Sequence, residues 1–87
     1  MAVAEKLKVE NGLDYKPEQI IMTSGAKHAV FNSLAALVNE GDEVIIPAPY
    51  WVTYPELVKW LGGKPVIVNT KIEDGFKIKP EALKASI

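Results

Sequence analysis

The sequence predicts an α/β fold, a partial three-layer sandwich of three mainly parallel strands with flanking helices. Two observations carry this. Apolar runs of strand length alternate with longer runs of helical period, in the order strand, helix, strand, helix, strand, which is how parallel sheets are connected. The strand-length runs, Ile20-Ile21-Met22, Val44-Ile45-Ile46 and Val66-Ile67-Val68, are also nearly continuous rather than alternating, as in strands covered on both faces. With 87 residues the chain has room for one domain, in a size range where core burial is marginal.

Residues 2–11 read as a helix with Val3, Leu7 and Val9 inward, ended by Gly12 in the left-handed conformation that closes helices. Residues 13–18 connect, with Pro17 in a turn, to a first strand at 19–23 that stops at Ser24-Gly25. Val30, Leu34, Leu37 and Val38, widened by Phe31 and Ala35, set an apolar helical face across 26–39. Glu40-Gly41-Asp42 turns into a second strand at 43–47, and Pro47-Ala48-Pro49 ends it because proline cannot donate to a ladder. The next helix, 53–61, takes Pro55 in its first turn, where a missing N–H costs nothing. Gly62-Gly63 stops that helix, and Trp60 reads as packing beside Leu57 and Leu61. A third strand follows at 64–69, an irregular stretch around Asp74-Gly75 at 72–79, and a short helix at 80–86.

Composition removes several function classes. Net charge is −1 and the ten basic residues, all lysine, are scattered, so no basic stripe exists to neutralise a nucleic-acid backbone. Cysteine is absent, which excludes disulfides and thiolate metal sites and makes a reducing cytoplasm the expected location. A single histidine, His28, gives no basis for a zinc site. No apolar run approaches the roughly 20 residues that span a bilayer, so no membrane partner is expected.

The chemistry concentrates at two strand ends, where ligands of parallel α/β folds sit. Ser24-Gly25-Ala26-Lys27 is a small-residue turn into a helix, whose first N–H groups are unpaired and whose dipole is positive there. It suits a phosphate monoester, and equally an ordinary helix cap. It is neither a Gly-x-x-x-x-Gly-Lys phosphate loop nor a Gly-x-Gly-x-x-Gly fingerprint. Trp51, after Pro49-Tyr50, reads either as a ring stacked on a flat heteroaromatic ligand or as a core tryptophan. Tyr50 is placed to line the same site. His28 reads as helical surface beside the turn.

Five strings, in this order and spacing, resemble the pyridoxal-phosphate-dependent aminotransferases of fold type I, most closely the aspartate aminotransferase group. They are Glu10-Asn11-Gly12-Leu13, Thr23-Ser24-Gly25-Ala26-Lys27-His28-Ala29, Asn39-Glu40-Gly41-Asp42-Glu43-Val44, Pro49-Tyr50-Trp51-Val52-Thr53-Tyr54-Pro55-Glu56 and Gly62-Gly63. The resemblance covers essentially the whole chain. It implies that Gly25, Ala26 and Lys27 bind the phosphate of pyridoxal 5′-phosphate, and that Trp51 stacks on its pyridine ring. It further implies amino acid and 2-oxo acid substrates, with aspartate the expected amino donor, and a homo-oligomer.

The same resemblance makes residues 1–87 a single incomplete domain, the cofactor-phosphate-binding part of the large domain. The family's Schiff-base lysine, the aspartate that pairs with the pyridine nitrogen, and the arginines for phosphate and substrate carboxylate have no counterpart among these residues. No catalytic residue is therefore assigned, and the chain alone is expected to be inactive. A second reading is a non-catalytic, autonomously folding or self-associating piece, and a third is another type I lyase or synthase with the same half-pocket. In the family's large domain the first of the three strands is not adjacent to the other two. The chain by itself is accordingly expected to expose Ile20, Ile21, Ile45 and Ile46, and either to re-pair its strands or to self-associate.

Overall fold

The parallel β-α-β unit in the second half of the chain organises the molecule. In the computed structural model, which describes residues 1–87, helix α1 (Ala2–Asn11) is followed by a 3-10 turn (Pro17–Gln19), α2 (Ala26–Leu37) and β1 (Glu43–Ala48). Then come α3 (Thr53–Trp60), β2 (Lys64–Asn69), a second 3-10 turn (Ile72–Asp74) and α4 (Pro80–Ala85). β1 and β2 pair in parallel, from Glu43 opposite Lys64 to Ala48 opposite Asn69. Their β-branched centres suit a pleated ladder, and α3 is the crossover that a parallel pair requires.

The core is one helical side chain laid over two strands. Val58 of α3 is 1% exposed, above Ile46 at 5% and Val68 at 7%. Pro55 is buried in the first turn of the same helix. Val30 and Leu34 of α2 border this core from the side, lining a cleft with Val44, Ile46 and Val58.

Hydrogen bonds fix the turn into β1 and tie it to the entrance of β2. The Asn39 N–H donates to the Asp42 carboxylate at 2.8 Å, the Lys64 N–H to the Asp42 carbonyl at 2.7 Å, and the Gly41 N–H to the Gly62 carbonyl at 2.8 Å. Gly63 is required by close approach, since a Cβ there would sit 2.9 Å from methyls of both Val38 and Val58.

The α/β architecture, the helices and the last two strands follow the sequence reading; the first strand does not. Residues 20–24 carry no strand pairing, and the sheet has two strands rather than three. Ile20 has the extended backbone of a strand, φ −117° and ψ 126°. A strand is a ladder as well as a conformation, and the chain offers this segment no neighbour. Ile21 is accordingly 85% exposed. Re-pairing does not occur: β1 pairs β2 and nothing else. Ile46, expected to be exposed, is covered by α3 instead.

Smaller departures have local causes. Helix α2 stops at Leu37 because Val38 turns extended, φ −94° and ψ 125°, to enter the Asp42-capped turn. Trp60, expected to pack, is 75% exposed, since its only aromatic neighbour is Phe31 with ring centroids 5.5 Å apart. Val9 is likewise exposed, and α1 buries no side chain, although Gly12 closes it in the left-handed conformation at φ 67°.

Candidate functional site

The turn before α2 is shaped by short-range hydrogen bonds that leave the helix start open. The Thr23 hydroxyl donates to the Gly25 carbonyl at 2.9 Å, and the Gly25 N–H donates to the Thr23 carbonyl at 2.9 Å. Gly25 is the N-cap with φ 88° and ψ 165°, a region that is essentially glycine's alone. The Ser24 N–H donates to His28 Nδ1 at 3.1 Å. Beyond that, the backbone N–H groups of Ala26, Lys27 and His28 have no acceptor within the chain. Three donors thus converge at the positive end of a 12-residue helix.

Trp51 reaches the same place from the end of β1. Its carbonyl accepts from the Tyr54 N–H at 3.1 Å, which fixes the backbone at the entrance to α3. The Tyr54 ring meets the indole edge-on, with centroids 5.7 Å apart and planes at 85°. Lys27 Nζ lies 4.6 Å from the centroid of the Trp51 ring, a cation–π contact worth about 0.5–1 kcal/mol where solvent reaches it. Trp51 itself is 48% exposed, so the ring is held by its neighbours without being enclosed by them.

The four residues singled out in the sequence are therefore together: Gly25, Ala26 and Lys27 open the helix, and the Lys27 ammonium joins them to Trp51. Tyr50, also exposed, lies one residue before Trp51. Thr23 and His28 are the additions. His28, read from the sequence as helical surface, occupies the third helical position, from which a side chain can reach back to the backbone ahead of the helix. A groove of about 530 Å³ flanks the site, running from Lys27 past Phe31 and Leu57 to Trp60.

Chemically, three amide donors and an ammonium suit a dianionic phosphate. A partly exposed indole beside them suits a flat ring joined to it by a short link. Lys27 covers one face of the indole in this arrangement, so a ligand ring takes the other face or displaces the ammonium toward the phosphate. The residues fit a phosphorylated pyridine.

Known proteins match this chain over nearly its whole length. The family model described as aminotransferase class I and II matches residues 1–87. The chain belongs to that family. It is 54% identical over 86 residues to an aspartate aminotransferase of Bacillus subtilis (strain 168), covering 99% of this chain and 22% of the relative. An aspartate/prephenate aminotransferase of Cereibacter sphaeroides is 52% identical over the same length. Among solved structures, the aspartate aminotransferase of Rhizobium meliloti superposes with a TM-score of 0.94 at 43% identity, over 99% of this chain and 22% of that one. The aspartate aminotransferase of Thermus thermophilus with maleate gives 0.93 at 49% identity, with the same coverage. The chain thus spans about a fifth of the length of these aminotransferases and superposes on that fifth over nearly all of its residues.

Proposed function

We propose that these 87 residues form the phosphate-binding and ring-stacking wall of a pyridoxal-phosphate site, within one incomplete domain of an aminotransferase. The observation that supports this most directly is the Lys27 ammonium, 4.6 Å from the Trp51 centroid. It supports a shared site for the open helix start, which carries Lys27, and the aromatic ring, in a chain of aminotransferase sequence throughout. The N–H groups of Ala26, Lys27 and His28 hold the phosphate, Gly25 gives the turn its shape, and Trp51 covers one face of the ring and excludes water from it. Tyr54 keeps the indole at its angle. When bound, pyridoxal phosphate supplies the electron sink and the amino-group carrier that no side chain provides.

The substrates on this reading are an amino acid, with aspartate the expected donor, and a 2-oxo acid. The groups that exchange protons with them lie outside these residues, so the chain alone binds and orients without turning over. No helix is long and apolar enough to cross a membrane, and we place the protein in the cytoplasm. We also infer a homo-oligomer. Ile21 at 85%, Met22 at 68% and Trp60 at 75% exposure leave apolar surface for a partner.

A pyridoxal-phosphate titration followed by tryptophan emission tests the site, using a Trp60→Phe background so that Trp51 alone reports. Saturable quenching that inorganic phosphate relieves is the expected result. Emission that does not saturate, or that phosphate leaves unchanged, contradicts the assignment.

A further inference from the structure

We propose that His28 is a positioning residue for the phosphate turn, acting as a hydrogen-bond acceptor through Nδ1; this rests on the site reading above. His28 is the third residue of α2, and its ring turns back along the helix to accept the Ser24 N–H at 3.1 Å. Glutamate and glutamine make the same reach from that position in a capping box. Here the donor belongs to the residue ahead of the N-cap, so the bond fastens the turn itself and not just the helix.

The consequence is a division of labour among consecutive amides. Ser24 spends its N–H on its own helix, whereas Ala26, Lys27 and His28 keep theirs for the anion. Thr23 fastens the opposite side of the turn through its hydroxyl on the Gly25 carbonyl, at 2.9 Å. With both ties made, Gly25 is held at φ 88°, the conformation that aims the following amides outward. Freed of the His28 tie, the turn has only Thr23 to hold it, and the three donors lose their common direction. An acceptor at Nδ1 is a neutral imidazole with its proton on Nε2, so the role is specific to one tautomer. His28 also contributes its own backbone N–H to the anion, and that contribution survives substitution of the side chain.

The test compares His28→Ala and His28→Gln with the unsubstituted protein, at its natural length, binding pyridoxine 5′-phosphate and unphosphorylated pyridoxine. These probes carry no aldehyde and do not react with lysines. His28→Ala is expected to weaken the phosphorylated probe about fivefold, the worth of one net hydrogen bond. Pyridoxine binding is expected to stay within about twofold, because stacking on Trp51 does not pass through the turn. His28→Gln, which keeps an acceptor at the same reach, restores the phosphorylated probe to within about twofold. Imidazole nitrogen NMR at neutral pH should show Nδ1 without its proton.

An Ala variant that binds pyridoxine phosphate normally overturns the proposal, as does a Gln variant no better than Ala. So does equal weakening of both probes, which would make His28 a general structural residue. Each of these leaves the site reading standing. Failure of the unsubstituted protein to bind the phosphorylated probe overturns both.

Discussion

The two halves of this chain contrast sharply, although both carry apolar runs of strand length. In the β1-α3-β2 unit, local preference and tertiary contact agree: apolar strands pair, α3 bridges them, and Ile46, Val58 and Val68 close a small core. In the stretch from α1 to Gly25 the local preferences are also obeyed, yet nothing is buried in α1, and Ile21 and Met22 stay exposed. The difference teaches that an apolar extended segment specifies a backbone conformation but not a partner. The proposed site spans the divide. Its turn closes the unpartnered half, whereas Trp51 leaves the core-bearing one, and Lys27 joins them.

Substitutions probe the contrast in order of expected effect. Val58→Ala removes two methyl equivalents from the best-covered position and should cost about 2–3 kcal/mol, in transfer and cavity terms together. Urea unfolding of the 87-residue chain reads this directly; a loss below about 0.5 kcal/mol would mean that the small core is not cooperative.

Gly25→Ala comes next. Its φ of 88° and ψ of 165° cost a side chain about 1–3 kcal/mol. The penalty should fall on phosphate affinity, since a Cβ there meets nothing within 4 Å and so disturbs no packing. Isothermal titration with pyridoxine 5′-phosphate checks it, with unchanged affinity as the contrary outcome.

Trp51→Leu is expected to weaken that probe about tenfold, the upper part of the range for an aromatic pair beyond its area. Unlike His28→Ala, it should weaken unphosphorylated pyridoxine by the same factor.

Smallest of all, Ile21→Ser should change the stability of the 87-residue chain by no more than about 0.5 kcal/mol, because the side chain is 85% exposed. A loss as large as that from Val58→Ala would show that the segment is covered, by a second copy or by further chain.

What the sequence made legible follows the same line. The paired strands and the crossover helix were readable because each rests on local signals, apolar runs and Gly62-Gly63 as a break, although β1 runs through Pro47 to Ala48 rather than stopping at the first proline. The absent third strand was not, because Ile20-Ile21-Met22 looks the same with or without a neighbour. Trp60 misled for a related reason. Helical spacing beside Leu57 and Leu61 assigns a face, but only the neighbouring elements decide whether that face is covered. Gly25, Ala26, Lys27 and Trp51 were named by type and order, whereas the tie from Ser24 to His28 depends on a rotamer, which no pattern of residues displays.

The central claim is that the helix start and Trp51 form one site. An amide and indole NMR titration with pyridoxine 5′-phosphate tests it most directly. The account predicts that the amides of Ala26, Lys27 and His28 shift together with the Trp51 indole resonance, along one binding curve. Separate curves, or shifts at the indole with the three amides unmoved, would contradict it.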